Sequence, residues 1–235
     1  MKAKVNIELL KTTTFDSGAL GMLAMVIHQF GSAGRYRVTV LHEGRALADL
    51  DFEVNEKSEE MQLDIDLAQA VRNAKARPED CGCKSEKQMV GVVSPKGYVL
   101  FHASSGHGYS VIVLGREGRV AFDSTKLGEG DLFAVSLLEP ATYSLKNKTG
   151  SATGEIVVTT GTDKRMKALE THHIEASPKK FNTKRIELSS SQGLVFRIKD
   201  SARILIEKEH TQTDKRNKPV IRWQSLRTIR KEASK

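Results

Sequence analysis

The chain predicts an all-β protein: two antiparallel β-sandwiches in tandem, with one short helix and a basic C-terminal tail. Three observations predict it. Apolar and polar residues alternate through most of the chain, the period of a strand with one buried face. Between Met89 and Thr160 seven short alternating runs follow one another, nearly all separated by Gly- or Pro-containing breaks, which is the punctuation of an antiparallel sandwich or barrel. A single Ala-rich segment, Ala68 to Ala76, reads as a helix. With 235 residues, 39% hydrophobic and 28% charged, the chain has the apolar content of a globular protein, in two domains or one large one.

In chain order, the opening MKAKVNIELLKTTTFDSG has no uninterrupted apolar core and no small-residue cleavage site, so it does not read as a secretory signal. RYRVTVLHEGRALADLDFEV, Arg35 to Val54, is two alternating strands around Glu43-Gly44, where glycine tolerates the positive φ of a tight hairpin. MQLDIDL places Met61, Leu63, Ile65 and Leu67 on one face of a third strand. The short helix follows and ends before Pro78. Residues 75–87, KARPEDCGCKSEK, are polar and contain Pro and Gly, the composition of a linker. The expected division is therefore an N-terminal sandwich over 1–74, a linker over 75–87, a second sandwich over 88–210 and a tail over 211–235. Residues 172–210 add about four strands, which either complete the second sandwich or form a further sheet.

The chain also carries a candidate internal repeat. One segment begins Phe15-Asp16-Ser17 and another Phe122-Asp123-Ser124. Each continues through Leu-Gly, an apolar strand, a small-residue turn, a Tyr-bearing strand, a Gly turn and a closing strand that ends in Val.

The second unit, about 88–206, resembles the cupredoxins, the blue-copper β-sandwich family. The matching stretches are YVLFHASSGHGYSVIVL, FDSTKLGEGD, LFAVSLLEPATY and GEIVV, with PKKFNTKRIELSSSQGLVFRI resembling the family's opening strands in a displaced position. The resemblance implies a sandwich of the immunoglobulin-like or cupredoxin-like kind. It also implies a copper site of two His, one Cys and a weak axial Met, the soft thiolate suiting an electron carrier. Three of those ligands belong to the closing loop, and anchoring that loop on Gly154 puts Lys146, Thr149 and Ala152 where Cys, His and Met would stand. His107 alone matches a ligand position, and no Cys, His or Met occurs between Leu145 and Thr160. The expectation is a copper-free scaffold with no cofactor.

Cys81 and Cys83 are the only cysteines, too few for a secreted disulfide framework, which points to the cytoplasm. An alternative reading makes them ligands of a metal or redox centre completed by His102, His107, His172 or His173. The loop 102–109, HASSGHGY, is a candidate small-ligand loop of the sandwich end. No nucleophile elbow, zinc-protease motif, Walker loop or dinucleotide fingerprint occurs. The expectation is a protein that is not an enzyme, with no small-molecule substrate evident.

The net charge of +8 resides mainly at one end. From Thr211 to Lys235 eight Lys or Arg stand against two acids, leaving 29 basic and 27 acidic groups in the rest. Such a distribution differs from a broad phosphate-tracking face. After Pro219, Val220, Trp223, Leu226 and Ile229 recur every three residues among Arg222, Arg227, Arg230 and Lys231. On a helix these make an apolar stripe bordered by arginines, suited to a partner's groove. The leading expectation is a cytoplasmic binding or assembly subunit that meets a protein partner, or further copies of itself, through Arg222, Trp223, Leu226, Arg227, Ile229 and Arg230. Nucleic acid or an anionic membrane surface is the further alternative for the tail.

Overall fold

The computed structural model describes residue 9 and residues 12–76, 88–160, 171–190 and 192–209. Among the described residues, strands account for 55%, with one α-helix. The first half runs β1 (Thr14–Asp16), β2 (Ala24–His28), β3 (Gly34–His42), β4 (Arg45–Val54), β5 (Gln62–Asp66), α1 (Leu67–Lys75), β6 (Gln88–Val93), β7 (Tyr98–His102) and β8 (Tyr109–Leu114). A 3-10 turn, Arg116–Gly118, leads into the second half. That half runs β9 (Val120–Asp123), β10 (Leu132–Ser136), β11 (Thr142–Asn147), β12 (Thr153–Thr159), β13 (His172–Ala176), β14 (Arg185–Ser189), β15 (Gly193–Ile198) and β16 (Ile204–Lys208).

The local expectations hold. Glu43 and Gly44 turn the β3–β4 hairpin at φ 51° and 78°, the positive values a two-residue hairpin loop requires. Asp66 caps α1 by accepting the amides of Ala68 and Gln69. Burial opposes ionisation of Asp66, but its bonds from the Ser104 hydroxyl and the Ser104 and Gln69 amides, with His102 nearby, outweigh it and hold the carboxyl below its ordinary range.

The sheets do not divide at 75–87. Three sheets form, in the orders β1-β16-β11-β12-β14, β13-β15-β10-β2-β7-β5 and β6-β4-β3-β8-β9, and every one takes strands from both sides of the expected linker. The described N-terminal strands therefore have no sheet of their own, in contrast to the expected sandwich over 1–74. Residues 172–210 are likewise shared out: β14 and β16 join the first sheet, β13 and β15 the second.

The order follows one rule. Advance each strand by eight places, with β9 returning to β1, and the third sheet becomes the first, while the central six-stranded sheet becomes its own reverse. Pairing sense follows as well: β4–β6 and β12–β14 are parallel, as are β5–β7 and β13–β15. The halves are thus related by a pseudo-two-fold axis at the antiparallel β2–β10 pair, where Val26 faces Phe133. Each half gives its first strand to the other's sheet, β1 pairing with β16 and β9 with β8.

The candidate repeat is realised atom by atom. Ser17 and Ser124 are fully buried. Ser17 Oγ accepts the Ile204 amide at 3.0 Å and Ser124 Oγ the Val111 amide at 2.9 Å. In return Ser17 N donates to Ile204 O and Ser124 N to Val111 O. Tyr36 donates its hydroxyl to Ser32 O, and Tyr143 to Glu139 O, each four residues back. Burial raises the pKa of both phenols; Arg116 partly offsets this for Tyr36, while Glu139 adds to it for Tyr143. One hydrophobic core runs from Phe15 to Ile206 through both halves. Polar ties cross it at the ends: Arg203 forks onto both oxygens of Asp16 at 2.9 and 2.8 Å, and His28 meets Asp131 at 2.5 Å. The bonds to Asp16 outweigh burial and raise the pKa of Arg203.

Candidate docking face

The pseudo-two-fold gives every surface position of the third sheet a counterpart on the first. On β4 the core takes Leu50, Phe52 and Val54, so alternation sends Asp49, Asp51 and Glu53 to the outer face. On β3 the core takes Tyr36, Val38 and Val40, sending out Arg35, Arg37 and Thr39. Register carries one outer row across all five strands: Met89, Asp51, Arg37, Leu114 and Val120. A neighbouring row holds Val92, Glu53 and Arg35. Met89, Val92 and Val120 are exposed at 43%, 38% and 62%.

Asp51 is the unusual member. It lies on an outer face yet is only 3% exposed, because half-exposed Arg35 and Arg37 close over it. Arg35 donates from Nε at 3.0 Å and approaches from Nη2 at 2.8 Å, both to Oδ2. Arg37 Nε stands 3.7 Å from Oδ1, beyond hydrogen-bond reach. Oδ1 is therefore buried with no hydrogen-bond partner, a costly state for a carboxylate oxygen. A cavity of about 370 Å³, lined by these three residues with Tyr36, Leu114 and Gly115, opens beside it.

The matching row of the first sheet is Arg185, Glu155, Ser144, Glu207 and Thr14. Here Arg185 stands where Met89 does, and Glu155 where Asp51 does. Arg185 bridges Glu155 at 3.0 Å and Glu187 at 3.1 Å, and Lys146 pairs with Glu207 at 3.5 Å, all with side chains at least 40% exposed. That face is solvated and its charges are matched.

The residues singled out from sequence are dispersed. His102 ends β7 near Asp66. His107 lines a cleft of about 510 Å³ with Thr13, Gly21, Met22 and Gly106. His172 and His173 lie on β13, at the edge of the central sheet. Among the described residues no group of three or more His, Cys, Asp or Glu is placed to hold a metal ion. Cys81, Cys83 and the tail residues Arg222, Trp223, Leu226, Arg227, Ile229 and Arg230 lie outside the described residues. At the positions the cupredoxin resemblance assigns to copper, Lys146 pairs with Glu207, the Thr149 hydroxyl bonds to Asn147 and Ser201, and Ala152 is in the core.

Sequence reasoning passed over Asp51, though a signal was present. The β3–β4 hairpin, through its bulge between Val40 and Leu41, sets Arg37 opposite Asp51 and Arg35 opposite Glu53, a basic column beside an acidic one. Among the described residues no helix is long and apolar enough to cross a membrane. No family model matches the chain, and no curated protein or solved structure is significantly similar to it.

Proposed function

We propose that the chain is a non-enzymatic binding or assembly subunit that engages a protein partner through the outer face of the third sheet and through its basic tail, with no cofactor. The observation that carries this reading is the contrast between two faces of equal architecture. One has matched, exposed ion pairs. The other carries exposed Met89, Val92 and Val120 around a buried carboxylate, one oxygen of which accepts no hydrogen bond. Exposed apolar groups flanking arginines are the composition of interaction surfaces. The tail, with Trp223, Leu226 and Ile229 among its arginines, is the second contact in the proposal. The cytoplasm is the proposed setting, in keeping with the two isolated cysteines.

The finer fold reading belongs to the same proposal: a cupredoxin-like scaffold without copper. It is supported by the Tyr143 corner, the Phe122-Asp123-Ser124 turn and the closing strand β12. The test is native mass spectrometry of assemblies purified from the protein's own cells. Met89→Arg and deletion of 211–235 should each deplete those assemblies, while Arg185→Ala should not. Assemblies untouched by both changes would end the proposal.

A further inference from the structure

We infer that the occupant of the outer face of the third sheet is a second copy of this chain, packed face to face about a two-fold axis. The inference rests on the docking reading and names its partner. The row Met89, Asp51, Arg37, Leu114 reads apolar, acidic, basic, apolar across β6, β4, β3 and β8. Place a two-fold axis along the strands, midway between β4 and β3. It sets β3 over the partner's β4, and β6 over the partner's β8. Arg37 then lies over the partner's Asp51, and Met89 over the partner's Leu114, each contact occurring twice. Isologous packing of this kind needs a self-complementary surface, and two sheets stacked about 10 Å apart bring such side chains together.

Two features direct this inference to the third sheet and away from its counterpart. Charge matching alone does not, since the same operation on the first sheet would set Arg185 over the partner's Glu207. Those groups, however, already have partners within their own chain, and their row offers no exposed apolar side chain. On the third sheet the row ends in apolar groups, and Asp51 Oδ1 has no hydrogen bond. Arg37, half-exposed and 3.7 Å from that oxygen, is free to turn outward while the partner's Arg37 supplies the donor Oδ1 lacks. Paired charges of this sort fix register and orientation between copies.

Sedimentation velocity of the purified full-length protein tests this at about 10 µM, above the weak end of affinities for standard-sized interfaces. The expected result is a dimer whose dissociation constant rises roughly tenfold or more in Met89→Glu and in Arg37→Glu. Met89 is exposed, so unchanged thermal unfolding of Met89→Glu separates lost contact from lost fold, whereas Arg37→Glu also sets a second carboxylate beside Asp51. Arg185→Glu on the opposite sheet should leave the dimer intact. A monomeric wild type, or a dimer indifferent to both substitutions, overturns the inference. A monomer in pure form whose native assemblies still vanish with Met89→Arg overturns the second copy as occupant and leaves the docking reading standing.

Discussion

The two outer sheets are built to one plan and finished differently. Both close a Tyr corner onto a carbonyl four residues back, both set a buried Ser against a strand from the other half, and both pair one edge strand in parallel. Those shared features make the backbone fold: the Ser hydroxyls accept amides and the Tyr hydroxyls donate to carbonyls where chain enters sheet. The outward side chains follow no such duplication. Position for position, Arg185 replaces Met89, Glu155 replaces Asp51 and Ser144 replaces Arg37. The third sheet tolerates a buried carboxylate oxygen without a hydrogen bond, which costs stability, and keeps apolar groups in water. What is common to the halves serves folding; what differs points to function.

The duplication is tested most severely in the core. Phe101 and Phe196 occupy matching positions in the shared central sheet and are fully buried. Replacing either with Ala should cost about 3–5 kcal/mol. Because the two halves share that sheet and one core, chemical denaturation should show one transition in each variant; two separated transitions would mean the halves fold independently.

The exchanged strands come next. Ser17→Ala and Ser124→Ala each leave a buried amide, that of Ile204 or Val111, without its side-chain acceptor. Each should cost about 1–3 kcal/mol, and the two losses should be alike. A large loss in one alone would break the equivalence.

The smallest effect separates the halves. Only the first half places a helix after its fifth strand, capped by Asp66, whereas β13 runs on into a loop. Asp66→Ala should cost about 1 kcal/mol near neutral pH. The Asp66 carboxyl titrates lower in the folded protein than its ordinary value of 3.8. Its contribution is therefore present above that ordinary value and is lost as pH falls through the folded one. Wild type and Asp66→Ala should converge in stability at acid pH, and a gap that persists there would assign the helix cap to another group.

Local structure was legible in the sequence because periodicity is local. The β3–β4 hairpin, the short helix expected over Ala68 to Ala76 and the alternating runs that become β6 to β12 all follow from neighbours a few residues apart. The repeat was legible too, since Phe15-Asp16-Ser17 and Phe122-Asp123-Ser124 stand in plain text. Sheet membership was not. The bonds that place β1 on β16 join residues 187 apart, and nothing in a strand's own period names so distant a partner. A polar stretch at 75–87 therefore read as a boundary between domains although pairing crosses it. Alternation also predicts Asp51 exposed; its burial comes from Arg35 and Arg37 folding over it, a matter of side-chain reach.

The contrast between the sheets is tested most directly by substituting one register position twice, as Met89→Arg and Arg185→Met, and following the share of the protein found in assemblies in its own cell extract. Loss of assemblies with Met89→Arg and none with Arg185→Met is the predicted result. Equal loss from both, or no loss from either, would contradict the assignment of function to the third sheet.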